Sequence, residues 1–179
     1  NLNLEAAAVT LPLQVNPETL EVKPHIYAIG DVNNLCQLAH AATAQGEVVA
    51  ARIMGQNSVY DNSLIPSAIY TWPEAANIGL SVTEARNKGF EVRVKKSFLL
   101  ANGRALAQGD SEGFTQLVED TKTGKILGAQ IVAPNAGEII HIALLAIKNG
   151  LTVSNREGTV FAHPTISETI KEAAQKSGR

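Results

Sequence analysis

The sequence predicts an α+β fold, an antiparallel sheet with helices packed on it, preceded by a strand–helix piece of an α/β domain. Residues 113–120 alternate between two faces at period two, a turn follows at 120–125, and residues 126–133 return as an apolar strand. Residues 135–148 place their apolar side chains on one stripe at helical spacing. Hairpin-linked strands followed by helices indicate an antiparallel sheet with helices packed on it.

The strand–helix piece lies in the N-terminal third. A short apolar run, 25–31, indicates a buried strand of a parallel sheet, and it ends at Asp31, where such sheets bind ligands. The alanine-rich residues 38–54 predict a helix that stops at Gly55. The start of that helix would direct free N–H groups toward a ligand beside Asp31. The same pattern fits a strand followed by a β-turn, with Asp31 as a turn residue.

A polar connector separates two predicted domains, at residues 1–62 and 63–179. The predicted order in the second domain is strand, strand, helix, strand, strand, strand, helix, short helix, helix. The elements of this domain not yet named are two strands joined by a turn at 66–79, a helix from the capping box at 81–84 to Lys88, a strand at 91–100, a loop at 101–105, a short helix at 152–157 and a final helix at 169–176.

Composition excludes several classes of function. The chain has 179 residues and a net charge of −2, so there is no basic excess to support nucleic-acid binding. No apolar run approaches the roughly 20 residues that span a membrane. The single cysteine, Cys36, can form no internal disulfide and provides no metal cluster. These features predict a cytoplasmic protein, or one of the mitochondrial matrix if the source is eukaryotic, without a metal site.

The beginning of the chain has the character of a domain interior. Residues 1–4 read Asn-Leu-Asn-Leu, without an initiating methionine or a signal sequence. We therefore expect the chain to be a piece of a longer protein.

The stretch 163–168 offers the chemistry of a general base. Pro164 disfavours the α region for the residue before it, so His163 is expected in extended chain with its ring free to point away. Glu168 falls in the first turn of the helix that follows, from where its carboxylate can reach the imidazole. A carboxylate on one ring nitrogen fixes the tautomer and orients the ring, as a general base requires.

A structural interpretation of the same stretch stays open. Thr165 and Glu168 also form a capping box, with Thr165 as the N-cap and Glu168 three positions later. In that case His163 is a surface histidine without chemistry.

The sequence His-Pro-Thr-Ile-Ser-Glu, residues 163–168, resembles the C-terminal signature of the flavin-dependent pyridine nucleotide–disulfide oxidoreductases. Glutathione reductases carry Ser-Ser-Glu-Glu after the His-Pro-Thr. Here Ile166 and a lone Glu168 followed by Thr169 favour the dihydrolipoamide dehydrogenase branch. Residues 66–79, with Tyr-Thr-Trp-Pro-Glu, resemble the opening of the family's C-terminal interface domain.

A second motif resembles a flavin-binding segment of the same family. Residues 26–31 together with Leu38-Ala39-His40 are similar to its second FAD-contacting motif. The resemblance implies that Asp31 touches the ribityl chain and that Leu38 and Ala39 approach the flavin ring. The first domain would then be the C-terminal piece of an FAD-binding domain. The family often has Pro-Met before the Leu-Ala-His, and this chain has Cys-Gln.

The resemblance implies a reaction and a division of labour. In this family a dihydrolipoyl dithiol is oxidised by an enzyme disulfide, electrons pass to FAD, and a hydride goes to NAD. His163 would remove the thiol proton and Glu168 would orient it, reaching the other subunit of a homodimer. A lipoyl-bearing protein of a 2-oxoacid dehydrogenase complex would be the partner.

The chain lacks a Gly-x-Gly-x-x-Gly and a cysteine pair, so the NAD site and the redox disulfide are expected in a missing N-terminal part. We therefore expect this chain to be inactive by itself. Two alternatives remain, a non-catalytic dimerisation module and a glutathione reductase-like disulfide reductase.

Overall fold

The chain folds into two compact units, Asn1–Ile65 and Pro66–Arg179. The computed structural model describes residues 2–156 and 158–176, and of Arg156 only the backbone. The division falls after Ile65, slightly later than the boundary at residue 62 that the composition suggests. Each unit is described by itself below.

The first unit contains one long helix and a small hairpin. Strands β1 (Glu21–Lys23) and β2 (Ile26–Tyr27) pair antiparallel, and helix α1 spans Ala39–Ile53. Three short 3-10 turns complete this unit, at Leu4–Ala7, Gly30–Asn33 and Asn62–Leu64. The helix predicted at 38–54 is therefore confirmed within one residue at each end.

The strand predicted at 25–31 is shorter than expected, and its partner within the described residues is antiparallel. Among the described residues only Ile26 and Tyr27 of that run are in a strand, and both are half-buried. The chain reverses just before them, with His25 at a φ of 69°, so β1 can only pair with β2 in the antiparallel sense. Gly30, at a φ of 74°, then turns the backbone into the 3-10 turn and ends any extended run.

The second unit is the predicted α+β domain. Its elements are β3 (Ser67–Ile69), β4 (Glu74–Gly79), α2 (Val82–Asn87), β5 (Val92–Phe98), α3 (Gly103–Gln108), β6 (Phe114–Asp120), β7 (Ile126–Ala133), α4 (Ala136–Lys148) and α5 (Glu168–Gln175). The five strands form one antiparallel sheet in the order β3-β4-β7-β6-β5.

One face of this sheet is buried beneath α4 and α5. Register places alternate residues of neighbouring strands side by side, so that Ala76 pairs with Ile131, Ile131 with Thr115, and Thr115 with Ser97. All four side chains are buried. Helix α4 packs over β4 and β7, and α5 packs over β5 and β6. The apolar stripes of both helices and the inward-facing side chains of the strands therefore pack together in a single core.

Two elements differ from the expectation. The predicted loop at 101–105 is in part a helix, α3, because the side chain of Asn102 accepts hydrogen bonds from the N–H groups of Arg104 and Ala105 and caps it. The short helix expected at 152–157 is a 3-10 turn at Val153–Arg156, and residue 157 lies outside the described residues.

No helix in the described ranges combines the length and the apolar character needed to cross a membrane.

Candidate active site

The side chains of His163 and Glu168 are in contact, as the spacing predicts. Nδ1 of His163 lies 3.1 Å from Oε1 and 3.2 Å from Oε2 of Glu168. Glu168 is the first residue of α5, while His163 lies outside the helix, before a cis peptide bond to Pro164. The imidazole side chain is 78% exposed and the carboxylate side chain only 21%. The ring is thus held from one side and open on the other.

The backbone of the turn fixes the Glu168 carboxylate. Its Oε2 accepts the N–H of Thr165 at 2.8 Å. This backbone hydrogen bond is the largest of the effects that lower the pKa of Glu168. Burial, the next largest effect, opposes it, and the hydrogen bond from His163 and the charges of His163 and Lys171 lower the pKa further. Glu168 is therefore ionised at neutral pH and can only accept hydrogen bonds.

The capping box predicted for this turn is formed only in half. Glu168 accepts from the N–H of Thr165, but the Thr165 hydroxyl donates to the carbonyl of Ala162 at 2.8 Å. The N-cap of α5 is Ser167, whose side chain makes no capping hydrogen bond. The carboxylate therefore lies between the backbone of the turn and the imidazole, rather than in a closed capping pair.

The contact determines which ring nitrogen can act as a base. An ionised carboxylate has no proton to donate, so Nδ1 of His163 must carry the hydrogen that bridges to Glu168. In the neutral imidazole the lone pair is then on Nε2. The geometry thus leaves Nε2 as the proton acceptor of a largely exposed ring.

A buried pair of threonines supports the turn from the sheet. The hydroxyls of Thr115 on β6 and Thr169 on α5 lie 2.7 Å apart, and neither residue is exposed. The Thr169 hydroxyl is 2.8 Å from the carbonyl oxygen of Ile166, which can only accept. Thr169 therefore donates to Ile166, and Thr115 donates to Thr169.

Asn102 provides a second support that the sequence did not reveal. Its side-chain nitrogen donates to the carbonyl of Thr165 at 3.1 Å and to Oε1 of Glu172 at 3.3 Å. Oε2 of Glu172 also accepts from the hydroxyl of Ser97 on β5 at 2.9 Å. Only the preference of asparagine for helix N-caps could have indicated Asn102, and it would have located α3 rather than this contact.

The residues predicted to contact a flavin lie around the start of α1. Asp31 is exposed on the 3-10 turn Gly30–Asn33, Leu38 is the N-cap of α1, and Ala39 is its first residue. Leu38 offers no side-chain capping hydrogen bond at the start of α1. An exposed carboxylate and a helix N-terminus without a side-chain cap fit the hydroxyls and carbonyls of a flavin nucleotide.

Gln45 attaches the turn that carries Asp31 to α1. Its buried Oε1 accepts from the N–H of Gly30 at 2.7 Å and from the side-chain nitrogen of Asn33 at 2.8 Å. No local pattern indicated this contact, since Gln45 stands within an alanine-rich helix.

Burial, followed by the charge of Asp31, raises the pKa of the nearby Cys36 thiol, which favours its neutral form.

Within the described part of the chain, no group of three or more histidine, cysteine, aspartate or glutamate side chains could hold a metal ion.

Comparison with known proteins identifies the family. The family model described as the pyridine nucleotide-disulphide oxidoreductase dimerisation domain matches residues 65–174. The chain belongs to this family. The match covers most of the second unit, Pro66–Arg179, which is accordingly the dimerisation domain.

Curated relatives are similar along most of the chain. A dihydrolipoyl dehydrogenase from Thermus scotoductus is 43% identical over 178 residues, which is 97% of this chain and 38% of the relative. One from Geobacillus stearothermophilus is 39% identical over 163 residues, covering 91% of this chain and 35% of the relative. The chain thus spans less than two fifths of the length of these relatives.

Solved structures have the same fold. LpdA from Mycobacterium tuberculosis matches 98% of this chain and 39% of its own, with a TM-score of 0.90 and 28% identity. The Cu(II) complex of the HOCl-induced flavoprotein disulfide reductase RclA from Escherichia coli matches 97% of this chain and 41% of its own, with a TM-score of 0.83. Its identity of 24% supports likeness of fold alone.

Proposed function

We propose that this chain is the C-terminal part of a flavin-dependent dihydrolipoyl dehydrogenase. The relatives named above carry that activity in their names, and they match both units of the chain rather than the dimerisation domain alone. The observation that carries the proposal is the contact between Nδ1 of His163 and the ionised carboxylate of Glu168. This pair is the catalytic base that a dithiol oxidation needs.

His163 removes the proton from a dihydrolipoyl thiol. A free thiol has a pKa of about 8.5, so at neutral pH a nearby base must take its proton before the sulfur can attack a disulfide. Nε2 of His163 receives that proton, and the imidazolium that forms is stabilised by Glu168 through Nδ1. Glu168 keeps its own position through the Thr165 N–H, so the ring does not need to reorient during the transfer.

The thiol and the disulfide come from outside this chain. Cys36 is the single cysteine, so the chain contains no redox disulfide of its own. In our proposal the protein is a homodimer, and the exposed ring of His163 faces the disulfide of the partner subunit. The dimerisation domain then supplies half of each active site.

The first unit contributes part of the FAD site. Asp31 would hold the ribityl hydroxyls, and the N–H groups at Leu38 and Ala39 would face the flavin ring. FAD supplies the electron acceptor that oxidation of a dithiol requires. NAD, the terminal acceptor, would bind to a part of the enzyme that precedes this chain.

The wider setting follows from the same proposal. The natural substrate is a lipoyl group on a protein of a 2-oxoacid dehydrogenase complex. The enzyme works in the cytoplasm, or in the mitochondrial matrix if the source is eukaryotic. This chain alone, without the redox disulfide, is inactive.

One experiment tests the proposed base. In the full-length enzyme, His163→Gln keeps a neutral polar side chain of similar size but removes the proton acceptor. We expect dihydrolipoamide oxidation to fall by roughly 100-fold or more, with bound FAD and the dimer retained. Retained activity in the variant, or a wild-type enzyme that does not oxidise dihydrolipoamide, would contradict the proposal.

A second candidate is a non-catalytic dimerisation module. It is favoured by the backbone hydrogen bond from Thr165, which gives Glu168 a structural role that needs no histidine. In that case His163→Gln weakens the dimer or changes nothing, and turnover per dimer stays constant.

Competition between dihydrolipoamide and glutathione disulfide as substrates separates the remaining alternative, glutathione reductase-like chemistry.

A further inference from the structure

Asn102 uses every hydrogen-bonding position of its side chain. Its Oδ1 accepts from the N–H groups of Arg104 and Ala105 and so caps α3. Its Nδ2 donates one hydrogen to the carbonyl of Thr165 and the other to Glu172. An asparagine has two donors and two acceptor lone pairs, and all four are satisfied here at 1% exposure. A buried side chain saturated in this way has a single orientation.

The backbone of Thr165 connects this side chain to the catalytic pair. The carbonyl of Thr165 accepts from Asn102, while the N–H of Thr165 donates to the same Glu168 oxygen that lies 3.2 Å from Nδ1 of His163. Thr165 is therefore held on both sides, by Asn102 and by Glu168. A shift of Thr165 would move the Glu168 carboxylate and, with it, the ring of His163.

Glu172 on α5 accepts a hydrogen bond from Asn102 and so links Asn102 to the helix that begins at Glu168. Glu172 lies one helical turn after Glu168, and its two oxygens accept from Ser97 and Asn102. Ser97 and Asn102 are each 1% exposed. The carboxylate of Glu172 is thus fixed from both oxygens, and α5 cannot rotate about its axis without breaking these bonds.

We propose that Asn102 is a positioning residue for the base: through Thr165 it sets the place of Glu168 and hence the direction of the His163 lone pair. The expected effect on the rate rests on the proposed function. The restriction of the Thr165 backbone by Asn102 does not depend on that function. Asn102 does not touch the thiol. It acts by restricting the turn that carries the base.

The substitution Asn102→Asp separates the positioning role from the capping of α3. Aspartate caps helices as well as asparagine does, so the bonds from Arg104 and Ala105 remain. The second oxygen of aspartate cannot donate, so the Thr165 carbonyl loses its partner. The new charge also faces the carboxylate of Glu172, which destabilises the folded chain.

A second substitution restores the network without restoring the contact to Thr165. When Asn102→Asp is combined with Glu172→Gln, the new amide on α5 donates to the new carboxylate at position 102, while the amide oxygen accepts from Ser97. The part of the stability lost through repulsion between the two carboxylates in Asn102→Asp should therefore return. The Thr165 carbonyl stays without its donor, so a defect that persists in the double variant comes from the turn.

The test uses stopped-flow reduction of the full-length enzyme by dihydrolipoamide, with urea unfolding in parallel. We expect the limiting rate constant in the double variant to be about 10-fold below that of Glu172→Gln alone, with an unchanged half-saturating dithiol concentration. The matched control is Ser81→Ala, which removes a cap whose side-chain hydrogen bonds lie within its own capping box on α2. It should lower stability without lowering the rate constant.

Hydrogen exchange at the Thr165 N–H provides the readout that does not depend on activity. We expect this exchange to be about 10-fold faster in the double variant than in Glu172→Gln, because the turn opens more often. Equal exchange rates, or equal limiting rate constants, overturn the inference. If the wild-type enzyme does not oxidise dihydrolipoamide, the proposed function fails, and exchange at Thr165 alone decides the positioning role.

Discussion

Nδ1 of His163 lies within 3.2 Å of both carboxylate oxygens of Glu168, five residues later in the chain. Oε2 also accepts the N–H of Thr165. This second contact makes the carboxylate part of the turn rather than a mobile surface charge. Glu168 is thus fixed by the backbone and in turn fixes the imidazole, whose other side is exposed.

The first prediction concerns pH. The pKa of Glu168 is lowered from its usual value of 4.5 in the folded chain, so between the two values the unfolded chain binds the proton more readily. The stabilisation that ionised Glu168 gives the folded chain is therefore complete above pH 4.5. It is lost as the pH falls through the lowered pKa. The difference in unfolding free energy between wild type and Glu168→Gln should shrink from neutral pH to about pH 3 in urea titrations.

Glu84 offers a matched control for this titration. Its pKa is lowered by hydrogen bonds from Ser81, in the capping box of α2. Glu84→Gln should reproduce the loss of acid dependence without affecting the imidazole of His163. A free-energy difference for Glu168→Gln that stays constant over the whole pH range would contradict the role assigned to the Thr165 hydrogen bond.

The second prediction concerns the buried threonine pair. Thr169→Val leaves the Thr115 hydroxyl without its acceptor in the core, at a cost of about 1–3 kcal/mol. Thr115→Val removes the donor to the Thr169 hydroxyl, which keeps its own hydrogen bond to Ile166. Thr115→Val should therefore cost less stability than Thr169→Val. Replacing both by valine removes both hydroxyls together and should cost less than the sum of the single changes. A double-mutant cycle by urea unfolding measures the coupling, and strictly additive effects would show that the two hydroxyls do not interact.

The third prediction concerns the first unit. Gln45→Leu deprives the N–H of Gly30 and the amide of Asn33 of their shared acceptor, so the turn that carries Asp31 should loosen. Hydrogen exchange at Gly30 should accelerate, corresponding to a loss of about 1–3 kcal/mol. In the full-length enzyme FAD affinity should also fall. Gln56→Leu, at an exposed position, serves as the control and should change neither quantity.

Local patterns predicted most elements of the second unit. Side chains of β6 and α4 that face the core must be apolar, and they recur at the period of a strand and of a helix. The alternation in β6 and the apolar stripe of α4 therefore predict both elements. The spacing of His163 and Glu168 is likewise local, so their contact could be predicted from a stretch of six residues. In the same way, Ser81 and Glu84 predicted the start of α2.

The supports of the site could not be predicted in this way. Asn102 and Thr165 are 63 positions apart, and Thr115 and Thr169 are 54 apart. Such pairs meet only because the sheet places β5 and β6 beneath α5, which no short pattern specifies. The strand predicted at 25–31 differs in length and in its partner for a related reason, since an apolar run does not determine the direction of its neighbour.

The tautomer of His163 tests the assignment of the base most directly, and it can be read from the two ring nitrogen shifts by NMR at alkaline pH, where an imidazole is neutral. We predict that Nδ1 carries the hydrogen and that Nε2 is bare, and that Glu168→Ala abolishes this preference. A wild-type ring with its hydrogen on Nε2 would leave no lone pair facing the substrate, and would contradict the assignment of His163 as the base.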